Sequence, residues 1–72
     1  MSQESVTSVL LASLRRGADR YAGELRDIEV ALAALELRRA YDLMNRLMTR
    51  GVWEPDLAAR EALEDFWWEH AQ

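Results

Sequence analysis

The sequence predicts an all-α protein: a small two- or three-helix bundle with a long central helix, a tight turn at Gly51–Pro55 and a C-terminal helix. Three observations carry this. Ala, Leu, Glu and Arg dominate the composition, and these are strong helix formers. β-Branched residues are few. The apolar positions Leu11, Leu14, Ala18, Tyr21, Leu25, Ile28, Leu32 and Leu35 alternate three and four apart, the spacing of an a/d coiled-coil seam.

The first segment ends at Arg15-Arg16-Gly17, with basic residues in a last turn and glycine after it. Asp19 then opens the next helix. The heptad register nevertheless passes through Gly17 and Gly23 without slipping. The alternative is therefore one helix from about Ser5 to Arg50, each glycine tolerated at about 1 kcal/mol. Turn punctuation favours a break or kink near Gly17. The long helix then stops at Arg50-Gly51, because Gly51 suits the left-handed position past a helix end and Arg50 complements the dipole. Trp53-Glu54-Pro55-Asp56 opens the last helix. Pro55 takes the first helical position, where its missing N–H costs nothing, and Asp56 falls in the first turn. That helix extends to about His70. Residues 1–72 read as a single helical domain, with no repeat, linker or low-complexity segment.

The long helix carries two apolar faces. Tyr21, Leu25, Ile28, Leu32 and Leu35 form one; Val30, Ala34, Leu37, Tyr41, Met44 and Met48 form a second, roughly opposite. A helix on the surface of a monomer needs only one. The last helix can cover one face; the other is covered by the first segment if it folds back at Gly17, or otherwise by a second chain. Because 72 residues scarcely suffice either way, self-association is the leading expectation, a homodimer favoured, with Leu25, Ile28, Leu32 and Leu35 as the oligomer seam. Size supports this. A core of 72 residues rarely supplies more than about 3–5 kcal/mol, and no Cys is present to staple it.

Beyond Leu35 the first face turns basic, carrying Arg39, Arg46 and Arg50. Three readings are open: a solvated face with Asp42 and Arg46 paired at i,i+4, a stripe that meets the acidic last helix, or a grip on phosphate. The segment from Glu54 onward holds six acids and one Arg, so the chain itself supplies complementary charge.

In the last helix Ala59, Ala62, Leu63, Phe66, Trp67 and His70 share one side, which is the core side. Phe66, Trp67 and Trp68 are consecutive and fan over about 200°, so they cannot all point inward. Trp68 falls on the other side with Leu57, Glu61 and Glu64. A large aromatic among carboxylates has the composition of an interface anchor. The plainer alternative lays it flat over its own helix or tucks it under the N-terminal segment. Trp53, in the turn, either staples the helix start or caps the bundle end, or binds a ligand and joins the partner-binding set.

Several function classes lose their residues. There is no Cys, and the one imidazole, His70, lies two positions from the end of the sequence, where helices fray. Glu61, Glu64, Asp65 and Glu69 lie on a helix that reads as solvated. Trp67 precedes His70 at i−3, so the Glu-x-x-His spacing of a di-iron bundle is absent. No Gly-rich phosphate loop and no zinc ligand set is present. The expectation is no enzyme, no cofactor and no metal. The net charge of −4 argues against nucleic acid as partner, and a DNA-reading helix would be basic where this last helix is acidic. Met1-Ser-Gln-Glu lacks the basic start and apolar core of a secretory leader. The longest apolar run, Val30 to Leu35, has six residues against about 20 for a membrane span. A soluble, cytoplasmic protein is expected.

What remains is a non-catalytic interaction module: a small acidic regulator or inhibitor that docks on a larger protein. The docking residues are Trp68, Leu57, Glu61, Glu64 and Trp53, with Arg39, Arg46 and Arg50 as a secondary charged stripe. Small acidic proteins of this kind are often encoded by phages and mobile elements, an association of size and charge and not of any motif. A self-assembling structural or assembly-factor subunit is the alternative, and a small DNA-binding regulator stands behind it.

Overall fold

The long central helix does not form. A computed structural model of the chain describes residues 3–72, in which four α-helices replace the two or three expected, with no strand among the described residues. They are α1 (Gln3–Arg16), α2 (Ala22–Ala33), α3 (Leu37–Thr49) and α4 (Leu57–Phe66). A 3₁₀ turn, Ala18–Arg20, joins α1 to α2, and a π-helical turn, Trp67–Ala71, extends α4. The sequence reading of Met1-Ser2 as lacking a leader lies outside the described residues. None of these helices is long and apolar enough to cross a membrane.

The first break falls where the glycine placed it. Gly17 donates its N–H to the Leu14 carbonyl at 3.1 Å and closes α1. Tyr21 is buried, and its hydroxyl donates to the same carbonyl at 2.7 Å. A Cβ on residue 17 would stand 2.6 Å from that hydroxyl, so the close approach of Tyr21 requires glycine there.

The second break has no glycine. Leu35 adopts φ +58°, the left-handed region. Its N–H bonds the Leu32 carbonyl at 3.1 Å, and the Glu36 N–H bonds the Ala31 carbonyl at 2.8 Å. This paired pattern is the Schellman motif that ends helices, with Leu where glycine is usual. The same motif closes α3 with the expected residue. Gly51 sits at φ +76° and bonds Met48, while the Val52 N–H reaches Leu47 at 3.2 Å. Compactness explains why α2 stops. A helix spanning 22–49 would be about 42 Å long, but the molecule measures 28 × 26 × 18 Å. The turn at Leu35 folds α3 onto α2 and lets both helices spend their apolar residues on one core.

The break removes the case for two opposed faces on one rod. Leu25, Ile28 and Ala31 of α2 and Ala40, Met44 and Leu47 of α3 are all buried within the chain. α1 contributes Val6, Leu10 and Leu14 and packs on α4, which contributes Ala59, Ala62, Leu63 and Phe66. The π-helical turn packs on α3 and joins the two pairs. The heptad spacing from Leu11 to Leu35 is thus shared among two helices and two turns, and no coiled-coil seam runs through it.

α4 starts two residues later than the sequence suggests. Pro55 is buried ahead of the helix, and Asp56 is the N-cap, its Oδ1 accepting the Ala59 N–H at 3.0 Å. A carboxylate that satisfies an orphan N–H defines the start better than a proline that merely lacks one. Two exposed ion pairs tie the helices: Arg15 to Glu29 at 3.0 Å and Arg16 to Asp56 at 3.4 Å.

Candidate functional site: a ridge on α4 and two grooves flanking α3

Among the described residues four large apolar side chains stay exposed: Val30 at 61%, Leu35 at 75%, Leu57 at 72% and Trp68 at 60%. Two of them lie on the outward ridge of the last helix. Leu57, Glu61, Glu64 and Trp68 recur at spacings of four, three and four, and all four are exposed. The ridge is therefore apolar at both ends and acidic between. Trp68 keeps 60% of its surface exposed. It meets Trp67 edge-on, with centroids 4.9 Å apart and planes at 85°. The π-helical turn, wider than an α turn, carries both indoles.

An open groove of about 650 Å³ adjoins the ridge. Tyr41 and Met48 line it from one flank of α3, with Leu63, Trp67 and Trp68 from α4 and its extension. Its polar border includes Thr49, Arg60 and Glu64. This groove escapes a reading of single helices, because residues 41 and 48 become neighbours of 63–68 only through the turn at Gly51.

A second open groove, about 850 Å³, runs along the other flank of α3. Leu35, Leu37 and Leu43 supply apolar surface; Arg38, Arg39 and Arg46 supply positive charge, with Glu36 and Asp42 beside them. Asp42 pairs with Arg38 at 3.7 Å rather than with Arg46. No ion pair among the described residues engages Arg39, Arg46 or Arg50. Among the described residues no ion pair joins the stripe to the acidic helix, although the π-helical turn packs on α3. Arg50 is exposed but lies outside the groove. His70 closes one end, its side chain 16% exposed and edge-on to Phe66 at 5.2 Å. The His70 Nε2 is buried without a hydrogen-bond partner and lies 3.6 Å from a Glu69 carboxylate oxygen.

The remaining sequence candidates are placed elsewhere. Trp53 is buried, and its indole N–H donates to the buried Ser13 hydroxyl at 3.1 Å, so it pins the α3–α4 connection to α1 and presents no face to a partner. Of the four seam residues, Leu25 and Ile28 are in the core and Leu32 is half-buried; Leu35 alone is exposed. No cluster of three potential metal-ligating side chains occurs among the described residues. No protein-family model, no curated protein and no solved structure matches the chain.

Proposed function

We propose that the chain is a small non-catalytic regulator that docks on a larger protein through the α4 ridge. The observation that carries this reading is the exposure of Trp68 and Leu57 at either end of Glu61 and Glu64, beside an apolar groove. Exposing two large apolar side chains costs solubility and returns nothing to the fold. Aromatic anchors in a polar surround are the composition of binding hot spots. The carboxylates specify the partner's chemistry: an apolar pocket rimmed by Lys and Arg, the type of surface that also accepts phosphate. The chain would then compete with a polyanion for that surface.

The test is affinity capture with the wild-type chain and a Trp68→Ala variant as baits. The wild type should retain a basic-surfaced protein that Trp68→Ala releases, and raising salt to about 0.5 M should weaken capture. Helicity and melting temperature of the variant should stay unchanged. Equal capture by both baits, or a melting temperature lower by many degrees in Trp68→Ala, overturns the reading.

A further inference from the structure

We propose that a second copy of this chain occupies the basic groove, seating its α4 ridge along α3. This rests on the reading of the ridge as a docking surface and names an occupant for a different surface. The two surfaces are complementary. The ridge runs apolar, acid, acid, apolar from Leu57 to Trp68, with Glu61 and Glu64 between. The groove sets Arg39 and Arg46 around the half-buried Leu43, with exposed Leu35 at its end. The ridge follows α4 and its extension from Leu57 to Trp68, and the groove follows α3 from Leu35, just ahead of that helix, to Arg46. Of the groove's two carboxylates, Asp42 is engaged by Arg38 and Glu36 stands at the Leu35 end, while Arg39 and Arg46 pair with nothing among the described residues. Glu61 and Glu64 likewise take part in no ion pair there. Charges left unpaired on both surfaces can be matched between copies.

Leu35 adds a second reason: it is the most exposed large apolar side chain described, and it stands at the rim of this groove. The contact would cover the ridge, so self-association and partner docking exclude one another. The paired form stores the ridge, and a more basic partner releases it.

Charge reversal on both sides tests this. Sedimentation at tens of micromolar and low salt should give the wild type at least twice the monomer mass. Glu61→Arg/Glu64→Arg and Arg39→Glu/Arg46→Glu should each weaken self-association about tenfold or more. Mixed one to one, the two variants should associate again, because a basic ridge then meets an acidic groove and the reverse. Leu35→Gly should weaken association while keeping full helicity. Should either double reversal unfold, the neutral pair Arg39→Gln/Arg46→Gln and Leu35→Gly carry the same expectation. A monomeric wild type, variants that associate like the wild type, or a mixture that stays monomeric overturns the contact. Arg39→Glu/Arg46→Glu leaves the ridge intact, so retained partner capture with unchanged self-association would sink this inference and spare the proposed function.

Discussion

Tyr21 and Leu35 show how single residues set the path of the backbone. Leu35 occupies the left-handed conformation at about 1–2 kcal/mol over glycine. Glycine would forfeit about 0.4–1 kcal/mol through the freer unfolded chain. Leu35→Gly should therefore stabilise the protein by roughly 1 kcal/mol, raising the melting temperature by about 4–8 °C for a domain of this size. A thermal scan that shows no gain would mean that the exposed side chain packs more than its 75% exposure allows. Tyr21 acts through its hydroxyl. Burial pushes its pKa above the ordinary 10.0, against the lowering effects of Arg20 and a Gly17 backbone hydrogen bond. The folded state then holds the phenolic proton to higher pH than the unfolded state does. Below about pH 10 both states keep it and Tyr21 adds no pH dependence. As pH rises past that point the unfolded chain binds fewer protons, and stability falls. Tyr21→Phe should lose about 1 kcal/mol at neutral pH with the hydroxyl's hydrogen bond, and its melting temperature should decline less between pH 9 and 11. Parallel decline in both proteins would refute the assignment.

At the scale of helices, capping decides the boundaries. Asp56 starts α4, and its pKa is lowered, first by the Ala59 N–H it accepts and further by Arg16 nearby, with burial opposing. A lowered carboxylate contributes stability above its unfolded pKa, near 3.8, and loses it as pH falls through the lower folded value. Asp56→Asn keeps an oxygen for the Ala59 N–H but no charge. The melting advantage of wild type over Asp56→Asn should be present at pH 6 and vanish toward pH 2. Asp56→Ala, without either, should melt lowest at neutral pH. An advantage that persists at pH 2 would assign the effect to shape alone. The same caps explain what was legible. Gly51 and Gly17 announce their breaks, and the inward and outward sides of α4 follow from its period. The break at Leu35 is invisible in Ala33-Ala34-Leu35-Glu36, which has no glycine and no proline. It also lacks the apolar residue that usually follows, supplied at the other helix end by Val52 packing near Leu47. Only the gain from closing α2 on α3 explains it, and that gain belongs to tertiary structure. Missing this break put Leu25 and Ile28 on an oligomer seam when they belong to the core. The grooves were hidden because each joins residues that only tertiary packing brings together.

For the whole molecule, size makes the tryptophans unequal. A core of 72 residues with no Cys to staple it supplies no more than about 3–5 kcal/mol of stability. Trp53 fills the junction of α1, α3 and α4 and bonds Ser13. Truncating a buried Trp to Ala costs about 3–5 kcal/mol, most of that total. Trp53→Ala should populate the unfolded state at room temperature, with lost helicity and a broad melt. Trp53→Phe keeps most of the packing but leaves the Ser13 hydroxyl without its donor, and should lose about 1–3 kcal/mol. Trp68→Ala removes an exposed ring and should change stability by no more than about 0.5 kcal/mol. Fluorescence separates the sites independently. A soluble quencher should reach Trp68 most readily, half-buried Trp67 less and Trp53 hardly at all, so Trp68→Ala should remove the most quenchable part of the emission. Were Trp68→Ala to destabilise as strongly as Trp53→Ala, the ridge would be part of the core and both surface contacts built on it would fall together. Unequal losses instead mean that the fold closes without Trp68, leaving that ring free to be covered from outside.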